Sequence, residues 1–176
     1  DFSVISYDRS RIVLINPEKG LAFAYNQGEE SETIQQLPNG TRGVQFSDDG
    51  KKLLSWTDWE ITVTFTRAWE VQPVRQENHQ VDIGRFSSKL SFVQWEKDYE
   101  HILFLFDKTF FVTELDDRGE RNTSLIFSAP SKPVRILSFG PKNQVFSLLP
   151  ATNQNENSEL SSIIFPEPTS FFGFGK

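Results

Sequence analysis

The sequence of 176 residues has no cysteine, no methionine and only two histidines. Without cysteine there are no disulfides, no thiolate metal sites and no cysteine nucleophile. His79 and His101 are too few to build a metal site by themselves, and no other ligands stand at a suitable spacing; each is read as a turn or packing residue. Long apolar runs are also missing. None approaches the ~18 residues of a membrane span, and the longest is broken by Asp107 and Lys108, so no membrane insertion by this segment is expected. There is no charged-then-apolar leader. With no initiating methionine, the sequence reads as a mature or excised piece of a longer protein. A basic stripe is lacking too: 18 Lys and Arg stand interspersed with 24 Asp and Glu, for a net charge of −6. That balance argues against a nucleic-acid groove.

Catalytic signatures are equally scarce. No Gly-x-Ser-x-Gly elbow occurs, no glycine-rich phosphate loop opens a helix, and no Asp-x-Asp-x-Asp-Gly calcium loop is present. The paired acids Asp48-Asp49, Asp116-Asp117 and Glu29-Glu30 are read as two turns and a solvated loop. The expectation is therefore a chain that is not an enzyme and has no cofactor and no metal.

What the sequence does contain is a repeat. Gly43-Val-Gln-Phe-Ser-Asp-Asp-Gly-Lys-Lys-Leu-Leu-Ser-Trp56 returns as Phe92-Val-Gln-Trp-Glu-Lys-Asp-Tyr-Glu-His-Ile-Leu-Phe-Leu-Phe106 and again as Ile136-Leu-Ser-Phe-Gly-Pro-Lys-Asn-Gln-Val-Phe-Ser-Leu-Leu149. Each copy reads strand, polar turn, strand. Phe46 and Trp95 are 49 residues apart, and Trp95 and Phe139 are 44 apart. A weaker first copy aligns Ile12 with Leu53, 41 residues on. Strand repeats at this period mark propeller blades. Apolar residues alternate or run in short blocks, and no stretch shows the helical period.

The fold expected is all-β and propeller-like, with about four antiparallel blades, as a domain over 1–150 or as part of a larger propeller. Its units lie near 1–38, 41–83, 86–129 and 134–165, with a polar loop over 151–160 and a C-terminal tail over 166–176. In the second unit the outer strand is either Glu70–Arg75 or Gln80–Ile83. Val44, Phe46, Leu54, Ile61, Val93, Trp95, Leu103 and Phe139 are the expected core, and Gly50 the expected positive-φ turn residue. Ser161–Phe165 is a candidate to lie beside Phe2–Tyr7 and close a ring. Otherwise an apolar sheet face near Val4 and Tyr7 stays open and invites self-association.

Phe46-Ser-Asp-Asp-Gly-Lys-Lys-Leu-Leu54 resembles the Ser-Pro-Asp-Gly-Lys-Lys-Leu signature of TolB-like and WD40-like repeats, with Asp48 where proline is usual. Arg85–Trp95, Glu100–Phe104 and Glu114–Asn122 look like a pattern in envelope proteins of candidate-phylum bacteria that pair a PEGA domain with such repeats; no PEGA segment is present here. The resemblance implies an extracytoplasmic or cell-envelope location within a membrane-anchored parent protein, and it supplies no catalytic residues.

Propeller blades present loops at their ends, and such loops bind partners. Trp56 and Trp59 flank the Thr57-Asp58 turn; Trp56 is expected to pack between blades and Trp59 to be exposed. The links between blades and the equivalent turn one blade on belong to the same face. The expected binding residues are therefore Arg42, Trp59, Arg85, Lys89, Asp107 and Lys108. The expected activity is that of a non-catalytic protein-interaction or scaffold module. A carbohydrate-binding or carbohydrate-cleaving propeller is the alternative, with a glycan as ligand in place of a protein partner.

Overall fold

The computed structural model describes residues 1–28, 32–131, 133, 135–140, 144–150 and 159–164. Among them there is no helix, hence none long and apolar enough to cross a membrane. The strands form four antiparallel sheets, each a simple meander. Sheet 1 holds β1 (Ser3–Asp8), β2 (Arg11–Asn16), β3 (Leu21–Gln27) and β4 (Glu32–Gln36). Sheet 2 holds β5 (Gly43–Phe46), β6 (Lys52–Trp56), β7 (Glu60–Phe65) and β8 (Gln80–Arg85). Sheet 3 holds β9 (Leu90–Trp95), β10 (His101–Phe106), β11 (Thr109–Glu114) and β12 (Thr123–Ser128). Sheet 4 holds β13 (Arg135–Gly140), β14 (Gln144–Leu149) and β15 (Glu159–Ile164). The chain divides into two compact units, Asp1–Phe127 and Ser128–Lys176.

Local chemistry sets the turns. Asp8 accepts the Ser10 N–H at 2.8 Å, and Asn16 accepts the Lys19 N–H at 3.0 Å. Asp49 accepts the Lys51 N–H at 3.0 Å and the Ser47 hydroxyl at 2.7 Å. Asp98 accepts the N–H groups of Glu100 and His101, and Asp116 that of Arg118. In each turn a short acceptor side chain stands in for a backbone carbonyl. Asp48-Asp49 thus lies in a turn and Asp116 orders the β11–β12 connection, whereas Asp117 pairs with Arg75 from another segment; Glu29-Glu30 lies outside the described residues. Among the described residues no three His, Asp or Glu side chains converge as a metal site.

In the first unit the sheets pack face to face. Val13, Ile15, Ala22, Ala24 and Leu37 of the first repeat meet Val44 and Leu53 of the second. Leu54, Ile61, Val63 and Phe65 meet Val93, Trp95, Ile102 and Phe104 of the third. Adjacent Leu53 and Leu54 point to opposite faces of sheet 2, one into each cluster, so β6 is buried on both sides. Each such aliphatic side chain contributes about 1.5–3 kcal/mol by leaving water. Trp95 is fully buried, and its indole N–H donates to the Gln45 carbonyl at 3.2 Å.

Most of the expected core is buried. Phe46 is only half-buried, because its ring packs at the rim against Tyr7, with centroids 6.0 Å apart. The side chain of Phe139 lies outside the described residues. The outer strand of sheet 2 is β8, not Glu70–Arg75; that segment makes an isolated bridge between Trp69 and Arg75. Residues 159 and 160 belong to β15 rather than to a polar loop, and 151–158 and 165–176 lie outside the described residues. β15 pairs along its length with β14 and is the third strand of its own sheet. Val4 is exposed; Tyr7, 41% exposed, stands on the opposite face of β1 and leans onto Phe46 and the Gly50 turn.

Candidate functional site

In a four-stranded meander, the turn joining the second and third strands and the link to the next sheet leave from the same end. That rule places Arg42, Trp59, Arg85, Lys89, Asp107 and Lys108 at one end of the sheets. The structure shows which of them meet.

The centre is Asp58, in the turn between β6 and β7. Thr57 shapes that turn: its hydroxyl oxygen accepts the N–H groups of Trp59 at 3.0 Å and Glu60 at 2.9 Å. Arg42 holds the Asp58 carboxylate with two nitrogens, Nε to Oδ1 at 3.1 Å and Nη2 to Oδ2 at 3.2 Å. Lys89 reaches the same carboxylate at 3.1 Å. Arg42 also donates to the Pro17 carbonyl at 2.6 Å, tying the β2–β3 turn of sheet 1 to the group. Burial opposes ionisation of Asp58, but Arg42 and Lys89 outweigh it and hold the carboxyl below its ordinary range. Two cations thus share one carboxylate, leaving a surplus of positive charge.

Trp59 stands 48% exposed beside this cluster. Its backbone is fixed: the Trp59 carbonyl accepts the Phe86 N–H at 2.8 Å, and the Asp58 carbonyl accepts the Leu90 N–H at 2.8 Å. An exposed indole on a pinned turn offers apolar area with little conformational entropy to lose. Trp56 instead packs inward against the core and lies across Gly43. A Cβ on Gly43 would come within 2.2 Å of the Trp56 ring, so this strand start admits no side chain.

Arg85 pairs with Glu60 on the neighbouring strand and is 81% exposed. Asp107 and Lys108 form the two-residue turn between β10 and β11, Asp107 with φ 55°. Both are exposed, and neither joins the Asp58 group. The site therefore has a tight half, Arg42–Asp58–Lys89 with Trp59, and separate outlying charges.

Sequence reasoning passed over Asp58, Thr57 and Pro17 as contributors, although Thr57-Asp58 was visible as the turn itself. It also missed Lys52. This ammonium is buried at the opposite end of β6, paired with Glu100 and donating to the Tyr99 carbonyl at 2.6 Å. It sits 4.2 Å from the Trp69 ring centroid and 5.9 Å from that of Trp95. With all its donors facing protein, Lys52 joins sheet 2 to sheet 3 and offers nothing to a ligand. His101 is the first residue of β10, and its Nδ1 lies 2.6 Å from Asp98 of the preceding turn.

No family model matches the chain, and no curated protein matches it. Solved structures do. A chain of the yeast heterotrimeric Nup82–Nup159–Nup116 nucleoporin complex aligns with a TM-score of 0.53 at 17% identity, covering 93% of this chain and 42% of that one. A protein from Lactobacillus plantarum aligns with a TM-score of 0.52 at 16% identity, over 90% of this chain and 50% of that one. A 6-phosphogluconolactonase-like protein from Bacteroides uniformis aligns with a TM-score of 0.51 at 9% identity, over 82% and 46%. The fold is all-β and propeller-like. The chain spans half or less of the length of each of these structures, and at such identities the likeness concerns fold alone.

Proposed function

We propose that this chain is a non-catalytic protein-interaction module that binds through the end carrying Trp59, Arg42 and Lys89. The observation that carries the reading is the exposed, backbone-pinned Trp59 beside two cations that share a single carboxylate. Such a surface suits an acidic segment of a partner protein that also presents an apolar side chain to the indole. The finer kinship belongs to the same proposal: TolB-like and WD40-like repeats, in an extracytoplasmic part of a membrane-anchored envelope protein. It is supported by the Ser47-Asp48-Asp49-Gly50-Lys51-Lys52-Leu53 turn and by the lack of cysteine.

One comparison favours a second reading, because the Bacteroides uniformis neighbour is described by a sugar-acid lactonase activity. A sugar-handling site here would use Trp59 as a stacking platform.

The test is photo-crosslinking from position 59 in a bacterial envelope extract, run beside a glycan array. Capture of one protein species, lost in Arg42→Ala and Lys89→Ala and weakened by salt, supports the interaction reading. Saccharide binding lost in Trp59→Ala supports the second. Capture that is indifferent to Arg42→Ala and Lys89→Ala refutes the site.

A further inference from the structure

Next to the Trp59 turn, the two outer strands of sheet 2 form a hollow of about 220 Å³. Its walls are Glu60, Ile61 and Thr62 of β7 with Asp82, Gly84 and Arg85 of β8. The ladder slips at this point. Ile61 pairs with Gly84 but Thr62 with Asp82, so Ile83 is an extra residue in β8. A bulge of this kind bends its strand and re-aims side chains. Arg121 clamps it, donating from Nη1 to the Asp82 and Ile83 carbonyls, each at 2.7 Å. Ile61 turns its side chain into the core shared with sheet 3, and Gly84 has none. Alternation puts Glu60 and Thr62 on the other face, and cross-strand pairing puts Asp82 beside Thr62.

Two polar groups in these walls have no protein partner. Thr62 is only 5% exposed, yet its hydroxyl makes no hydrogen bond among the described residues. The Asp82 carboxylate makes neither a hydrogen bond nor an ion pair among them. Glu60 and Arg85 pair with each other. Buried hydroxyls are normally bonded, so the partner of Thr62 has to come from the hollow.

We propose that this hollow binds one ring of a neutral saccharide. Charge selects the class. Two carboxylates oppose an anion, and the Arg85 guanidinium opposes a cation that would pair with Asp82. Among the described residues no three acid or histidine side chains converge to hold a metal. Hydroxyls suit the walls because each one both donates and accepts. A diol can donate to Asp82 and accept from Thr62 or Arg85. Size agrees: a cavity of ~150 Å³ takes benzene, and drug-sized ligands occupy ~300–1,000 Å³. About 220 Å³ therefore suits a single pyranose. The clamped bulge holds the walls in place beforehand, which limits the entropy lost on binding. The proposal does not rest on the Trp59 surface, because Trp59 is not in the walls and no partner protein is needed.

Saturation-transfer NMR tests it, with glucose, galactose, mannose and N-acetylglucosamine as probes and putrescine as a cationic comparison. At least one sugar should bind saturably to the wild-type chain. Thr62→Val keeps the side-chain shape and removes the hydroxyl; Asp82→Ala removes the carboxylate. Each should weaken sugar binding by about tenfold or more. Urea unfolding of Thr62→Val should match wild type, because its hydroxyl has no bond within the protein to lose. Lys97→Ala, in the exposed β9–β10 turn, should leave sugar binding as it was. A folded chain that binds none of the sugars would overturn the inference, as would sugar binding indifferent to Thr62→Val and Asp82→Ala. Binding of putrescine in place of the sugars would also overturn it, by making the hollow a cation site. So would sugar binding lost only in Trp59→Ala, which would put the ring on the indole.

Discussion

Gly50 is the position where one methyl group tests two features at once. Its φ is +65°, and a Cβ built there would lie 2.4 Å from the Tyr7 ring of sheet 1. Its carbonyl accepts Arg11 Nη1 at 3.0 Å and the Thr66 hydroxyl, so the turn cannot shift freely. In Gly50→Ala the left-handed backbone costs about 1–2 kcal/mol. The ring must also move, which loosens its contact with Phe46, worth about 0.5–1.5 kcal/mol. It also loosens the Arg11 guanidinium, 4.3 Å above the ring, worth about 0.5–1 kcal/mol. The expected sum is about 2–4.5 kcal/mol. All four tryptophans, at 56, 59, 69 and 95, lie in the first compact unit, so urea unfolding followed by tryptophan fluorescence reports on that unit. The same substitution in a Tyr7→Ala background separates the two costs: there only the backbone part should remain, about 1–2 kcal/mol. If Gly50→Ala lies within about 0.5 kcal/mol of wild type, the turn conformation is wrong. If its cost is the same with and without Tyr7, the turn stands but the packing of sheet 1 on it does not.

Much of this was legible because it is local. Asp-Asp-Gly between two apolar runs specifies a tight turn by its acceptor and its glycine, and the structure puts Gly50 there. Alternation and short apolar blocks marked the strands, and Leu54 was read as core while its neighbour Leu53, buried on the other face of β6, was not. What escaped depends on neighbours far along the chain. Lys52 looks like the second lysine of a solvated turn. Only the arrival of Trp69, Trp95 and Glu100 from other segments buries it. Asp58 was visible as a turn residue, but its two cations come from links 16 and 31 positions away. Tyr7 has the parity of Ile5, so alternation itself turns it toward sheet 2 and away from the face of Val4; the expectation had put Val4 and Tyr7 together. The outer strand of sheet 2 was ambiguous because two segments carried strand-like residues. Both are used, one as β8 and the other as the Trp69–Arg75 bridge.

Two further measurements probe charges that sequence reading placed only in part. Lys52→Met keeps the buried stem but removes the ammonium, with its stacking on Trp69 and its bond to the Tyr99 carbonyl. The first unit should lose about 1–3 kcal/mol in urea unfolding. Glu100→Gln should cost less, because Glu100 is 46% exposed and water can replace its contact. A Lys52→Met chain as stable as wild type would show that the ammonium is not held as described. The last prediction concerns pH. The Asp98 carboxylate raises the pKa of His101 by hydrogen bond and charge, against some burial. Burial alone would raise that of Asp98, but His101 and the neighbouring backbone N–H groups hold it down at about 2. A group whose pKa is raised on folding stabilises fully below its unfolded value, near 6.5, and loses that contribution as pH climbs through the folded value. A group whose pKa is depressed stabilises above its unfolded value, near 3.9, and fades as pH falls toward 2. The pair should therefore add most between about pH 4 and 6.5. Its stability should decline on either side by no more than the ~0.2–1 kcal/mol of a solvent-exposed ion pair. Thermal melts of wild type and His101→Gln should differ most inside that window and converge as pH climbs past the raised pKa of His101. A difference that grows with alkaline pH would reverse the sign and refute the pairing.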